Sequence, residues 1–261
     1  MPPGTPRYWS WLFATAESRP PLLGIYALVA EWRALMDPST ETSVAHIKLA
    51  WWREEMHRLA AGAAVHPIST YLAALPRAAV VDFSPLVAAV EAAANQVGGA
   101  PLERAADLAP HAEALWGHPL TVAARLAGDT LDEVGLRDCT GALAAADYLS
   151  RAIGSYRRDA RFGRVPFAVE ELLAADIDNA DLAAGNPPPR LEQYLRHLRE
   201  RAMRYFEIAA AALPRDRRAP LRHLLVLAAL GSRHLTGRGP VRERSARDLF
   251  LAWKTARRAN G

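Results

Sequence analysis

The stretch AAADYLSRAIGSYRRDARFGRVPFAVEEL, residues 144–172, carries the most specific pattern in this chain of 261 residues. It begins with small residues that favour helix, continues as a basic segment with glycines, and ends in an apolar turn followed by acids. Five arginines surround Asp159 in the sequence: Arg151, Arg157, Arg158, Arg161 and Arg164. Guanidinium groups can each hold two oxygens of a polyanion such as diphosphate, whereas the alternative is an ordinary solvated basic loop.

The composition around this stretch favours one large helical core. Hydrophobic residues make up 51% of the chain, alanine is abundant, and runs of β-branched residues are scarce. The formal net charge is +4 and the pI is about 9.5, which favours anionic partners such as acidic membrane surfaces and phosphorylated ligands. The sequence has no zinc spacing and no pattern of interleaved aromatic and basic residues, so we expect no nucleic-acid partner.

The single cysteine and the short apolar runs limit the cellular setting. Cys139 alone cannot form an intramolecular disulfide and fits a reducing compartment, where we expect it to be a small buried residue. No apolar run approaches the roughly 18 residues that a membrane-spanning helix needs. We therefore expect a cytoplasmic protein that can associate peripherally with the inner membrane.

The order of the chain is helix, short break, helix throughout. Proline and glycine breaks, N-cap residues and apolar spacing predict one domain over residues 1–261, built as a bundle of roughly eight to ten helices. The principal predicted helices are 6–17, 21–36, 43–61, 85–97, 101–115, 138–154, 190–213, 217–232 and 245–258. We expect breaks at Trp116–Pro119 and at Gly237–Pro240, and a loop over 176–189.

Three stretches together resemble the squalene/phytoene synthase family of all-α, head-to-head prenyl synthases. RPPLLGIYALVAEWRALMD, residues 19–37, resembles the family pattern Y-A-F-C-R-x-x-D-D-x-x-D. IKLAWWREEMHRL, residues 47–59, followed by HPI, is similar to L-x-x-W-R-x-E-L with a later H-P-V. DARFGRVPFAVEEL, residues 159–172, resembles E-D-x-R-x-G-R-x-Y-L-P-x-x-x-L. The resemblance covers nearly the whole chain and implies a single-domain isoprenoid-synthase-type helical bundle.

The resemblance also implies a site chemistry. Coupling enzymes of the family carry two aspartate-rich motifs on facing helices, whose carboxylates gather Mg²⁺ around prenyl diphosphates beside an apolar cavity. In this chain the first motif keeps only Asp37, and Pro38 breaks the helix before Glu41 could join it. In the second motif Ser155 and Asp159 stand where two aspartates are expected. Asp159 lies among arginines, so ion pairing is favoured over metal binding.

This loss of carboxylates is typical of a non-synthase branch of the family, which includes factors for the assembly of mitochondrial respiratory complex I. We therefore favour a non-catalytic protein that binds a prenyl diphosphate or other isoprenoid lipid, an anionic membrane surface or a protein assembly partner, with no cofactor. The alternative is an active Mg²⁺-dependent prenyl transferase of the farnesyl or geranylgeranyl diphosphate type. Asp37, Glu41 and Asp159 would then bind the metal, and the arginines would bind diphosphate.

Four further residues leave alternatives open. Tyr26, Trp51 and Trp52 are candidates for the wall of a lipid cavity, although aromatic residues at helical spacing are more often plain core. Arg33 matches a family arginine, for which the sequence supports equally a diphosphate contact and a buried ion pair with Glu54 or Glu55. No metal-binding histidine pattern and no catalytic Ser/His/Asp motif occurs, so no catalytic residue is assigned.

Overall fold

A computed structural model describes residues 2–128, 132–236 and 241–260, without the side chains of residues 133 and 241–245. The described residues form helices, turns and one isolated bridge between Leu102 and Ala168. The helices are α1 Pro6–Leu12, α2 Arg19–Leu35, α3 Thr42–Ala60, α4 Pro67–Ala73, α5 Pro85–Val97, α6 Leu108–Ala112, α7 His118–Leu126, α8 Glu133–Arg161, α9 Val169–Ala174, α10 Asn179–Ala183, α11 Pro189–Ala211, α12 Arg222–Thr236 and α13 Val241–Arg258. The prediction of an all-α, single-domain bundle is confirmed for these residues.

Helix α8 is the central element of the bundle. Its consecutive alanines Ala144, Ala145 and Ala146 are almost completely buried, and the helix packs against α11, α12, α10 and the α6–α7 region. Small side chains on this face let neighbouring helix axes approach closely. The principal apolar core gathers around it and includes Trp32 from α2 and Leu198 from α11.

A second, smaller core holds the last helix to the first. Ala252 and Ala256 of α13 pack with Trp9 of α1 and with Val226 and Leu230 of α12. Beside this core the buried carboxylate of Asp248 pairs with Arg233 and His234 of α12, with oxygen–nitrogen distances of 3.2 and 2.6 Å. One side of α13 is therefore fixed by small apolar contacts and a buried ion-pair cluster.

The structure corrects several predicted boundaries. The expected break at Trp116–Pro119 does not occur, because α6 continues into α7 through a π-helical turn over Glu113–Gly117, with Pro119 near the start of α7. Helix α8 is longer than expected at both ends. The loop over 176–189 contains α10, and the expected break at Gly237–Pro240 lies outside the described residues.

The end of α2 follows the prediction. The helix stops at Leu35 with Met36 as its C-cap, two residues before Pro38. Glu41 then caps α3 by accepting hydrogen bonds from the Ser43 and Val44 amides. No described helix combines the length and the apolarity that a bilayer crossing demands.

Two helical glycines predict opposite effects of the same substitution. A Cβ at Gly231 of α12 would lie within 3.0 Å of two ring carbons of Phe206, and that ring is only 4% exposed and cannot move into solvent. Gly231→Ala is expected to cost about 1–3 kcal/mol of unfolding free energy. Gly154→Ala on the exposed side of α8, where a Cβ meets nothing within 4 Å, is expected to gain about 0.5–1 kcal/mol. Thermal unfolding of both variants tests the pair, and equal midpoints would contradict it.

Buried His223 predicts acid-dependent stability. Burial lowers the pKa of His223 to about 3, and neither ring nitrogen has a hydrogen-bond partner among the described residues. Below about pH 6.5 His223 takes up a proton in the unfolded chain but stays neutral in the folded chain. The unfolding free energy therefore falls by up to about 1.4 kcal/mol per pH unit, down to about pH 3.

The variant His223→Leu is expected to flatten this acid decline, measured by chemical denaturation at a series of pH values. The same substitution at His57, which is exposed on α3, is the matched control and should retain the parent slope. An unchanged slope in His223→Leu would show that other groups set the acid sensitivity.

Candidate functional site

A cavity of about 170 Å³ lies among α2, α5, the α6–α7 region and α8. A second compartment of about 320 Å³ adjoins it and shares five lining residues: Met36, Gln96, Tyr148, Asp159 and Pro166. The two helices associated with the aspartate-rich motifs, α2 and α8, therefore face one continuous groove. Helical spacing explains the alignment, since Val29, Arg33 and Met36 on α2 recur at intervals of three or four residues.

One part of the cavity wall is apolar and aromatic. Trp32, 1% exposed, and Trp116, 4% exposed, both line it, with Val29, Leu115 and Ala152 around them. The indole N–H of Trp32 has no acceptor among the described residues. This part of the wall suits a hydrocarbon chain.

The polar end of the cavity centres on Asp147 of α8. Its carboxylate accepts a hydrogen bond from Arg33 at 2.7 Å, and nitrogens of Arg7 and Arg151 lie 3.8 and 3.9 Å away. The guanidinium groups of Arg7 and Arg33 also stack on the Trp116 ring, 4.3 and 5.3 Å from its centroid. Burial lowers the pKa of Arg7, while Asp147 acts in the opposite direction. One carboxylate is thus shared by three cations.

Asp37 is held just after the end of α2. Its carboxylate accepts hydrogen bonds from the Ser39 hydroxyl and amide, and Arg158 of α8 forms an ion pair with it. These Ser39 hydrogen bonds, supported by Arg158, lower the pKa of Asp37 to about 2. Arg164 donates to the Met36 carbonyl at 2.7 Å, so the same helix end is also tied to the segment after α8.

Asp159 is placed differently from the prediction. It lines the cavity and accepts a hydrogen bond of 2.6 Å from the Ser155 hydroxyl one turn earlier. No described arginine nitrogen lies within 4 Å of its carboxylate, so the expected ion pairing of Asp159 is wrong. Instead, Arg33 and Arg151 lie beside Asp147, Arg158 pairs with Asp37, and Arg164 donates to the Met36 carbonyl.

Two of the predicted arginines lie outside the cavity wall. Arg157 is exposed, donates to the Tyr156 hydroxyl at 3.0 Å and lies over that ring. Arg161 is exposed at the C-terminal end of α8 and forms no ion pair with a described residue. The cavity itself is lined by three arginines and three aspartates, so its formal charge is balanced. The cations near the cavity that its aspartates do not balance are Arg7, which lies outside the wall, and the arginines at the end of α8.

The aromatic cavity candidates lie elsewhere. Tyr26 is buried under Trp116 and shares a 2.7 Å hydrogen bond with Ser10, and its burial raises its pKa to about 12. Trp52 packs edge-on against Trp32 and His66 in the core, whereas Trp51 is 43% exposed. None of the three lines the cavity: Tyr26 and Trp52 are core residues, and Trp51 lies at the surface beside Trp52 and His66.

Two other expectations are also corrected. Arg33 forms its ion pair with Asp147, and neither Glu54 nor Glu55 is its partner. The fully buried carboxylate of Glu55 instead accepts from the Val65 and His66 amides and pairs with Arg58, which closes the loop after α3. The exposed Glu41 side chain is used as the cap of α3 and is not part of the cavity wall.

The sequence reasoning missed Asp147, Arg7 and Trp116. Asp147 could have been found, because it precedes Arg151, Ser155 and Asp159 at steps of four residues and must share their helical face. Trp116 was assigned to a break that does not exist. Arg7 lies far from the motifs in the sequence, and only the packing of α1 brings it to Asp147.

The donor set does not fit a magnesium cluster of the kind that the resemblance implies. Among the residues that the structure describes, no three His, Cys, Asp or Glu side chains converge closely enough to hold a metal ion. Asp37 and Asp147 are already paired with arginines, and Glu41 belongs to a helix cap. Mg²⁺ prefers an octahedral shell of oxygen ligands, which this arrangement does not supply.

The fold and site define a helical protein whose cavity joins an apolar, aromatic wall to a charged side, and the comparisons with known proteins identify its family. Residues 3–238 match the squalene/phytoene synthase family model. The chain therefore belongs to the squalene/phytoene synthase family. A comparison with curated protein sequences gives no significant match.

Two solved structures show the same fold. A dehydrosqualene synthase, crystallised with a ligand, superposes with a TM-score of 0.78 at 14% identity, over 95% of this chain and 89% of that one. Squalene synthase HpnC from Alicyclobacillus acidocaldarius gives a TM-score of 0.71 at 19% identity, over 87% and 85% of the two chains. The predicted isoprenoid-synthase-type bundle is thereby confirmed.

Replacing the carboxylate shared by three arginines should destabilise the fold. Asp147→Asn leaves Arg7 and Arg33, which are 19% and 17% exposed, without their counter-charge. We expect a loss of about 1–2 kcal/mol in unfolding free energy, allowing for solvent screening at this partly exposed site.

Thermal and chemical denaturation measure the effect of Asp147→Asn. The matched control is Asp216→Asn, which removes a 73% exposed carboxylate that pairs with the adjacent Arg217. That control is expected to change the unfolding free energy by less than about 0.5 kcal/mol. A similar small change in Asp147→Asn would show that the arginine cluster needs no internal anion.

Proposed function

We propose that this protein binds an isoprenoid with an anionic head group in the cavity between α2 and α8, and that it does so without catalysing head-to-head coupling. The class of ligand includes prenyl diphosphates and other anionic isoprenoid lipids. Membership of the squalene/phytoene synthase family supports the isoprenoid part. The absence of catalysis is supported by the state of the cavity carboxylates.

The observation that carries the proposal is the pairing of those carboxylates. Asp147 is shared by three arginines, Asp37 is held by Ser39 and Arg158, and Asp159 is bonded to Ser155. Ionising a prenyl diphosphate requires strong neutralisation of the departing diphosphate, which coupling enzymes achieve with clustered Mg²⁺. Carboxylates already neutralised by arginine attract divalent cations weakly, because the local charge is balanced.

The apolar wall supports binding of a hydrocarbon tail. Trp32, Trp116, Leu115 and Val29 offer carbon surface that water solvates poorly, and each buried methylene of a ligand contributes about 0.8 kcal/mol. The two adjoining compartments, about 170 and 320 Å³, are together of the size that ligand pockets usually have. Tyr148 stands between them, with its hydroxyl donating to the Pro166 carbonyl at 3.3 Å.

The arginines support binding of the anionic head. A diphosphate entering the polar end would compete with Asp147 for Arg33 and Arg151, both of which line the cavity. Arginine forks hold phosphate oxygens in pairs, and they need no metal to do so. Asp147 thus occupies the position of a ligand anion and sets how tightly a diphosphate can bind.

A second candidate function is retained because Asp37, just beyond the end of α2, and Asp159 of α8 line the same cavity. This is the placement that an active Mg²⁺-dependent prenyl transferase would use. A role beside a protein partner, as in the branch that includes complex I assembly factors, stays a prediction from the sequence, as does a cytoplasmic location.

Binding and turnover of farnesyl diphosphate distinguish the two candidates. Calorimetric titration without Mg²⁺ is expected to show binding, and incubation with Mg²⁺ is expected to give no coupled product by mass spectrometry. Clear head-to-head product that disappears in Asp37→Ala would establish the transferase. Neither binding nor product, with geranylgeranyl diphosphate as well, would refute both functions.

Variants of the arginine cluster test the site itself, and they are expected to act in opposite directions. Arg151→Ala should weaken farnesyl diphosphate binding roughly five- to thirtyfold, since a charge-assisted hydrogen bond is lost. Asp147→Asn should strengthen it, because the competing internal anion is gone. Arg53→Ala on the exposed side of α3 is the matched control and should leave affinity unchanged. Weaker binding in Asp147→Asn would contradict the competition.

A further inference from the structure

We propose that α13 is a docking surface for an anionic lipid bilayer, formed by the exposed aromatic residues Phe250 and Trp253 with the cations that flank them. The surface, named here the α13 face, consists of Arg247, Leu249, Phe250, Trp253, Lys254, Arg257 and Arg258. It lies beyond the last residue of the family match, which ends at 238. The proposal does not depend on the cavity or its ligand.

The apolar residues of the α13 face belong to neither of the two apolar cores. Phe250 is 60% exposed, Trp253 is 43% exposed and Leu249 is 42% exposed, although the opposite side of the helix supplies the core contacts through Ala252 and Ala256. The Phe250 and Trp253 rings contact each other with centroids 5.8 Å apart. Leaving two adjacent aromatic rings in water is costly, and amphipathic aromatic residues of this kind are enriched at membrane interfaces.

The charge on the α13 face fits an anionic surface. At 100° per residue, Lys254 and Arg257 flank Phe250 on the side opposite the core, and Arg257 lies over the Trp253 ring at 5.4 Å. The one acid among the described side chains of this helix, Asp248, is buried and paired with Arg233 and His234. No exposed carboxylate among those side chains therefore offsets the cations, although Glu207 of α11 lies in the adjoining groove with Arg258.

The combination is typical of a helix that lies in the plane of a membrane interface. Such helices insert aromatic and aliphatic side chains at the level of the head groups, while lysine and arginine contact anionic phosphates. Each cation near an anionic bilayer contributes about 1 kcal/mol of attraction. Aromatic insertion and several cations supply two signals together, which peripheral binding needs in order to persist.

A flotation assay with the full chain tests the proposal. Vesicles of phosphatidylcholine containing about one third phosphatidylglycerol are expected to carry the protein, whereas pure phosphatidylcholine vesicles are not. Binding should weaken as salt is raised, because exposed charges are screened. Equal binding to both kinds of vesicle, or none to either, would overturn the proposal.

Two independent sets of variants locate the surface. Lys254→Glu reverses one charge and should weaken vesicle binding roughly ten- to thirtyfold. Lys48→Glu, made at the chain's other lysine on the exposed side of α3, is its matched control and should bind as the parent does. Phe250→Ala with Trp253→Ala should weaken binding roughly tenfold or more, whereas Ile47→Ala, at a 71% exposed position, should not.

The same assay distinguishes the α13 face from a second basic surface and from a protein interface. Arg161→Glu tests the basic end of α8, and loss of vesicle binding in that variant with retention in Lys254→Glu would transfer the membrane contact to the cavity mouth and overturn the proposal. Light scattering after size exclusion tests a second copy of the chain as the occupant. A dimer that Lys254→Glu converts to a monomer, with no vesicle binding in the parent, would equally overturn it.

Discussion

The attraction between the cationic side chains and the carboxylates that meet across α2 and α8 is the interaction on which the site depends. Arg33 of α2 reaches Asp147 of α8, and Arg158 of α8 reaches back to Asp37 beyond the end of α2. These two pairs link the α2 side of the cavity to α8 in opposite directions. Each ties one helix to the other, and each occupies a carboxylate that could otherwise attract a divalent cation.

The alanine-rich face of α8 makes this arrangement feasible. Ala144 and Ala152 line the cavity on the same face as Asp147, Arg151 and Ser155, so the polar stripe is embedded between small side chains and close helix contacts. A partly buried charge is tolerated only when a partner is near. Asp147 supplies the arginines of this site with a counter-charge from within the chain.

Much of the fold could be predicted from the sequence because its signals are local. Pro38 required α2 to end before it, and the helix does stop at Leu35. The failure at Trp116–Pro119 has an equally local cause: a π-helical turn lets the chain pass through a proline that would ordinarily start a new helix. Helix propensities do not anticipate such a turn, because it is selected by the packing of Trp116 against Tyr26 and the arginines.

The site was less predictable, because its members come from distant parts of the sequence. Arg33, Asp37, Arg151 and Asp159 were found from the motifs, and all line one cavity. The ion pairs expected for Arg33 and Asp159 do not form. The ion pair that Arg33 does make joins residues 114 positions apart, which local spacing cannot indicate. Trp51 and Trp52 were cavity candidates with packing roles as the favoured alternative, and neither lines the cavity. Helical periodicity identifies a packed face but not whether a cavity or another helix lies against it.

The proposed isoprenoid ligand connects the paired carboxylates of the cavity with the exposed α13 face. Isoprenoids with long hydrocarbon tails partition into bilayers, so a protein that binds them in an apolar cavity gains from being held at a membrane surface. An anionic bilayer would attract the cations of α13 without competing for Arg33, whose charge Asp147 already neutralises. Because the arginines and aspartates of the cavity neutralise one another, the net charge of +4 lies on outer surfaces. There it can attract anions over about a Debye length.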